Sequence, residues 1–310
     1  MTPADRVRAA LTGYQPDRVP FAFWYHFRYL DDPAGESLAN ETLKFYREYR
    51  PDILKVMHDI PYQLPDGMTQ VRTPADWRAL RPLDPQTGYF GRHLDALRRI
   101  IAAVGPDVPV ISTVFNLFAY AERITGKRAL EQFRADPEAM RAGLHAVNQS
   151  LVEWGKAVVS VGGVGLYLAV QGASSAVMPE DEYRREYLWS DIEVMTAARR
   201  AGAWLNICHL HGEALYFPLW RDIPHDVLCW SSTRTPPSLA FAREMYPGCI
   251  MAGIDEVDIE TMAPAAIAAQ GRSAIAAAGP LRFILAPGCA VPTGLRPAKL
   301  QAIGAAVAAA

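Results

Sequence analysis

The chain has 310 residues, half of them hydrophobic, with 31 basic against 33 acidic side chains and a formal charge of −2. That length can bury one large core, and the even charge balance excludes the basic surface that nucleic acid or an anionic membrane requires. The four cysteines show no CxxC or framework spacing, which excludes a disulfide scaffold and suits reduced thiols in a cytoplasm.

The start is charged and lacks an apolar signal core, and no run approaches the roughly eighteen apolar residues of a membrane span. Thr2 ahead of Pro3-Ala4-Asp5 is an N-cap with proline at the first helical position, so a short helix to about Leu11 opens the chain. Residues 19–26 read as an apolar first strand, 37–49 as a helix, and 53–59 as a second strand ending on polar side chains. Residues 64–85, rich in proline, glycine and aspartate, form a long excursion. A helix over 91–104 leads to the third strand, 108–115, closed by Asn116. Helices are expected over much of 117–134 and over 136–159, with the fourth strand at 164–170. Pro179-Glu180-Asp181 opens a helix to about Ala201. Strands five to eight fall at 204–210, 226–231, 249–254 and 283–286. Helices at 215–220, 238–245 and 259–278 lie between them, and a last helix runs from Arg296 to Ala309. Strands that alternate with helices in this way argue for an α/β fold, a single TIM-type (β/α)8 barrel with an extra N-terminal helix, one domain over residues 1–310. A doubly wound open sheet is the alternative, but no glycine fingerprint follows the first strand.

In such barrels chemistry collects at the C-terminal ends of the strands. Those ends carry His26, His58, Asp59, Asn116, Gln171, His209, His211, Trp230 to Ser232, Asp255 and Cys289. His209 and His211 are two apart, so a strand's period of two turns both imidazoles to one side, just before Gly212. Cys289 lies just past the eighth strand, behind Pro287-Gly288. Two histidines and a thiolate make three ligands with a fourth position open, the pattern of a catalytic rather than a structural zinc site. Singly these are weak signals, because core histidines are often satisfied by hydrogen bonds and a lone cysteine often acts as a small hydrophobe. Their coincidence at strand ends carries the reading. Asp59, His58 and His26 are expected to line the opposite wall and to orient substrate or move a proton. Glu213 is expected as a displaceable fourth ligand or a nearby base, although an acid early in a helix also suits its dipole. Asn116, Gln171, Trp230 and Asp255 complete the ring as candidate cofactor contacts; Asn116 and Asp255 equally suit helix caps, and Trp230 the barrel wall.

Asp17-Arg18-Val19-Pro20, Pro179-Glu180-Asp181-Glu182-Tyr183, Ala252-Gly253-Ile254-Asp255 and Leu285-Ala286-Pro287-Gly288-Cys289 with Pro292 behind it resemble the uroporphyrinogen decarboxylase superfamily. The resemblance spans most of the chain and implies a TIM-type barrel, in agreement with the strand count. Within that superfamily the chain resembles the zinc-dependent methylcobalamin:coenzyme M methyltransferases more than true uroporphyrinogen decarboxylases. The decarboxylases carry an arginine-rich segment after the first strand; here Trp24 to Leu30 holds only Arg28, which would leave a polycarboxylate substrate short of partners. Asp59 resembles their catalytic aspartate, which polarises pyrrole N–H groups, so decarboxylation of a tetrapyrrole or other carboxylate is the alternative. The methyltransferase ligand pattern is His-x-Cys, a long gap, then Cys. Here His209-x-His211 is followed 78 positions later by Cys289, with His211 where the pattern has cysteine. Cys208 is a possible substitute, but on an extended strand it should face the other way.

His211 in place of a thiolate changes the charge of the site. Two neutral imidazoles and one thiolate leave a zinc site at +1, a better Lewis acid and a poorer generator of nucleophiles than a neutral site. Mixed N/S ligation would also accept iron or copper. The resemblance implies a methylcorrinoid-type donor, a small thiol or similar acceptor at the metal, a corrinoid protein as partner and a homodimer. A non-catalytic holder of a metal or tetrapyrrole is the reading from another class.

Overall fold

A computed structural model of the chain describes residues 1–221 and 223–308. Thr2 accepts a hydrogen bond from the Asp5 amide while Asp5 caps back onto Thr2, and Pro3 needs no amide partner, so α1 (Pro3–Thr12) starts where the sequence says. The sheet follows in strict chain order: β1 (Leu54–Val56), β2 (Val110–Phe115), β3 (Gly165–Val170), β4 (Ile207–Leu210), β5 (Val227–Trp230), β6 (Cys249–Ile254) and β7 (Phe283–Pro287), each parallel to the next. Every residue in these strands is buried, as expected of a parallel sheet covered on both faces. The covering helices are α2 (Gly35–Tyr49), α3 (Pro74–Ala79), α4 (Gly88–Val104), α5 (Leu117–Ile124), α6 (Ala129–Ala135), α7 (Pro137–Ser160), α8 (Glu180–Glu186), α9 (Leu188–Arg200), α10 (Leu239–Met245), α11 (Pro264–Ala278) and α12 (Pro297–Ala308). This is a TIM-like barrel architecture, and its buried apolar side chains form one connected cluster from Val7 to Val307. No helix among the described residues is long and apolar enough to cross a membrane.

The expected eighth regular strand, over residues 19–26, is the main correction. Phe21 makes a single parallel bridge to Leu285. Leu285 donates to the Pro20 carbonyl, Ala22 donates to Leu285, and on the other side Asp52 donates to Phe21. The two edges of the sheet therefore meet through Pro20–Ala22 without a ladder, because proline has no amide hydrogen to contribute. The strand expected over 53–59 stops at Val56, whose carbonyl is taken by the Thr113 hydroxyl at 2.8 Å. The helix expected from Pro179 to Ala201 breaks into α8 and α9 at Tyr187 (φ −130°), whose ring is buried 5.2 Å from Phe118. A 3-10 turn, Phe217–Trp220, stands where an α-helix is expected, and the expected last residue of the final helix, Ala309, lies outside the described residues.

One carboxylate holds the bridging segment in place. Asp52 is 1% exposed; it accepts from Arg6 at 2.6 Å, from Arg18 at 2.6 and 3.0 Å, and from the Phe21 amide at 2.9 Å. Such a carboxylate is fully satisfied only as a set, and removing one side leaves buried charge uncompensated. Asp52→Ala is therefore expected to lower the unfolding free energy by about 3–5 kcal/mol in a urea titration, and Asp52→Asn, which can still accept from Phe21, by clearly less.

Between the sheet and the helix layer lies a buried histidine pair. The rings of His58 and His93 are 5.0 Å apart in a nest that includes Phe90, Phe115, Tyr120 and Trp154. His58 Nε2 meets the Tyr120 hydroxyl at 3.1 Å and His93 Nε2 meets Ser112 at 3.3 Å, while both Nδ1 atoms are buried without a partner. Burial drives His58 well below its ordinary value and His93 down to about 4. A base depressed on folding binds fewer protons folded than unfolded, so its stabilisation is full above the unfolded pKa and drains away as pH falls towards the folded one. His93 alone is expected to cost about 2 kcal/mol between pH 7 and pH 5. In urea titrations at the two pH values, His93→Gln should shrink the difference by that amount.

Candidate metal centre

His209 and His211 leave the end of β4 on the same side. His211 still donates its amide to the Val170 carbonyl at 2.9 Å, so strand geometry persists through it. Gly212 then turns at φ +113°, a conformation side-chain-bearing residues rarely adopt. Cys289 arrives from the opposite side of the mouth on the loop after β7. That loop is pinned to the bridging segment by Val291 donating to Trp24 (2.9 Å) and by the Thr293 hydroxyl donating to the His26 carbonyl (2.7 Å). Gly288 is obligatory beside it, because a Cβ there would lie 2.2 Å from the Ser231 Cα.

One ligand atom from each of His209, His211 and Cys289 lies within 4.8 Å of the others. The Cys289 sulfur is 3.8 Å from His211 Nδ1, close to the roughly 3.6 Å separating N and S on one tetrahedral zinc with ordinary bond lengths. His209 Nδ1 is buried without any hydrogen-bond partner, a cost that a ligand on the imidazole would offset. Burial keeps both histidines below their ordinary value, His209 well below, so the imidazoles are neutral and ready to ligate at pH 7. Burial pushes the Cys289 thiol up, against which a bound cation would act. The residues present fit a transition metal. Cys208 is fully buried and its thiol is raised well above its usual value by burial, then by Asp191 and Cys229; it is not part of the cluster.

Three cavities meet at His211. An inner chamber of about 230 Å³ runs down the barrel axis and is lined by His26, Gln171, His209, His211 and Cys289 together with Trp24, Lys55, Thr113 and Tyr167. An outer cavity of about 780 Å³, shared with Gln171 and Arg123, carries Glu213 on its wall. A side cavity of about 640 Å³ shares Arg28 with the inner chamber and adds Glu256. His26 Nδ1 is 2.5 Å from Asp59 Oδ1, whose other oxygen is buried without a partner. Burial works to raise Asp59, but the His26 contact and the charges of His26 and Lys55 outweigh it and hold the carboxyl below its ordinary range.

Other expected site residues are engaged elsewhere. His58 packs in the aromatic nest under the helices. Asn116 caps α5 by accepting from Ala119 at 3.1 Å and also bonds both backbone groups of Gln171. Trp230 is fully buried and donates to the Pro237 carbonyl at 3.0 Å. Asp255 accepts from the amides of Val257 and Asp258 and from Arg234 at 2.8 Å.

Sequence reasoning passed over Lys55 and Glu256, and it reads Tyr167 as core or barrel wall. Lys55 is buried on β1, its Nζ 4.4 Å from the centre of the Tyr167 ring and 4.8 Å from that of Trp24. Burial brings it down to about 7. The signal was a lone lysine in the middle of an apolar strand. Tyr167 stacks on His209 at 5.3 Å and contacts Cys229 at 3.7 Å. Glu256 accepts from Ser231 and keeps its second oxygen buried and unpartnered.

The fold is shared with a methyltransferase from Methanosarcina mazei, at a TM-score of 0.80 and 18% identity over 99% of this chain and 98% of that one. A B12-independent methionine synthase from Shewanella sp. W3-18-1, in complex with selenomethionine, matches at 0.54 and 12% identity over 74% of this chain and 68% of that one. A putative vitamin-B12-independent methionine synthase from Listeria monocytogenes matches at 0.50 and 17% identity over 74% of this chain and 71% of that one. No curated protein matches the sequence. The family model for uroporphyrinogen decarboxylase (URO-D) matches residues 2–310, and the chain belongs to that family.

Proposed function

We propose that this protein is a metal-dependent methyltransferase, with zinc as the first choice of metal, acting as one barrel unit over residues 1–310. It would move a methyl group from a methylcorrinoid-type donor to a small thiol or similar acceptor. The observation that carries the reading is the convergence of His209, His211 and Cys289 at the barrel mouth, with open cavity on more than one side of His211. Similarity of fold to proteins described as methyltransferases and methionine synthases supports it.

A bound zinc ion would supply Lewis acidity, drawing a coordinated thiol towards its thiolate near neutral pH. His209 and His211 would hold the metal as neutral donors and Cys289 as a thiolate. Tyr167, stacked on His209, would fix that ring's orientation. His26, on the chamber wall and backed by Asp59, is positioned to take the proton that the acceptor gives up. The inner chamber suits a small acceptor. The wider outer cavity, with Gln171 and Glu213 on its wall, faces the side from which a corrinoid donor or its carrier protein would approach. A homodimer would leave this mouth free if its interface lies on the helical layer.

A second reading is decarboxylation through Asp59, favoured by its unpartnered buried oxygen. His26 already occupies the other oxygen, and that reading assigns no task to the three converging ligands. Metal content separates the two.

In plasma mass spectrometry of untagged protein we expect about one zinc per chain, lost in His209→Ala, His211→Ala and Cys289→Ala and retained in Asp59→Asn. Methyl transfer from a methylcorrinoid to a thiol should disappear on chelation and return with zinc. Protein without stoichiometric metal, fully active in decarboxylation, would reverse the order of the two readings. Gly288→Ala should push the Cys289 loop off Ser231 and weaken metal binding about 10–100-fold in a chelator competition, with the melting temperature little changed.

A further inference from the structure

Lys55 is a nucleophile that the metal reading leaves without a task. It sits on β1, a strand that contributes no metal ligand, and is 6% exposed. No carboxylate lies within ion-pair distance of it among the described residues, Asp59 being taken up by His26. The hydrogen-bond partner of its Nζ is the Met57 thioether at 3.0 Å, and the ring centres of Tyr167 and Trp24 lie 4.4 and 4.8 Å away. The other buried lysine, Lys299, shows the contrast: its Nζ donates to the carbonyls of Ile259 and Glu260. An ammonium in the place of Lys55 loses its hydration and regains little, whereas a neutral amine loses far less. Burial accordingly brings Lys55 down to about 7, so a large part of it carries a free lone pair at neutral pH.

That amine borders open space. Lys55 lines the inner chamber of about 230 Å³, which is smaller than the roughly 300–1,000 Å³ of drug-sized sites and suits a molecule of a few carbon atoms. Small molecules have a way in, because the chamber shares Arg123, Gln171 and His211 with the wider outer cavity. His26 stands on the same chamber wall with Asp59 behind it, so a group able to carry a proton faces the space beside the amine.

We propose that the inner chamber is a covalent carbonyl site, in which the Lys55 amine captures a small aldehyde or ketone as an imine. Nζ attacks the carbonyl carbon, and the carbonyl π pair moves onto oxygen, which takes a proton passed from the nitrogen through His26. The C–O bond of that carbinolamine then breaks. Its oxygen leaves as water with the second nitrogen proton, and the nitrogen lone pair closes the C=N bond. One amine and one carbonyl give one imine and one water, and nothing is oxidised or reduced. A protonated imine draws electrons from the neighbouring carbon, so the substrate class is a short carbonyl compound activated next to its carbonyl group. This is an activity separate from methyl transfer, and it needs no metal.

Reductive trapping tests it. Chelator-treated full-length protein at pH 7 is exposed briefly to dilute propionaldehyde with cyanoborohydride, which reduces an imine to a stable propylamine. Peptide mass spectrometry then ranks the lysines by rate of labelling. Lys55 should be labelled about tenfold or more faster than the exposed Lys44 and Lys156. That advantage should vanish in concentrated urea, where the fold no longer wraps the amine, and with pyrenecarboxaldehyde, which is too large for the chamber. Lys55→Met should lose the fast site and leave the labelling of Lys44 and Lys156 unchanged. Lys55 labelled no faster than the exposed lysines would overturn the site, as would a preference that persists in urea or with the bulky aldehyde. Metal content is read on separate samples, so either claim can fall without the other.

Discussion

Everything at the mouth of this barrel depends on how the sheet's edges meet. β4 and β7 are separated by two strands, and in a flat sheet His209 and Cys289 would stand far apart. The exchange of hydrogen bonds between Leu285 and the Pro20–Ala22 segment, with Asp52 bonded to Phe21 on the other side, joins the edges and turns the strand ends into a ring. The same segment continues through Trp24 to His26 and ties down the Cys289 loop at Val291 and Thr293. A single buried carboxylate, Asp52, gathers Arg6, Arg18 and the Phe21 amide beneath it. Closure and site geometry are thus the same structural event.

Much of this was legible in the chain because strand periodicity is a strong constraint. The spacing of His209 and His211 placed both imidazoles on one side, and Pro287-Gly288 after an apolar run placed Cys289 at a strand end. The first strand was only half legible: its apolar pattern was clear, but Pro20 reduces the pairing to one bridge. His58 was read as a strand end because the apolar run continues to Met57, whereas the Thr113 hydroxyl stops β1 at Val56 and His58 goes into the helix layer. Lys55 was passed over because a strand interior was read for hydrophobicity alone. A lysine flanked by Leu54 and Val56 in a strand buried on both faces must point into the barrel, where hydrophobicity is not what selects it.

The electrostatics of the mouth follow from these placements. Two imidazoles kept neutral by burial, a thiol that burial alone would keep protonated, and a lysine that burial brings down to about 7 share the mouth. Two carboxylates border it, Asp59 held by His26 and Glu256 bonded to Ser231, each with its second oxygen buried and unpartnered. A dication would satisfy the two imidazoles and the thiol together, so the three converging side chains suit a bound metal. His211 in the middle position makes such a centre more electrophilic than one built on two thiolates.

X-ray absorption at the metal edge of the loaded protein tests the central claim most directly. The account predicts one sulfur at about 2.3 Å and two imidazole nitrogens at about 2.0–2.1 Å in the resting protein, with a second sulfur appearing when a thiol is added. A resting shell of two or more sulfurs, or of oxygens alone, would contradict it, because His209, His211 and Cys289 could not then be the ligands.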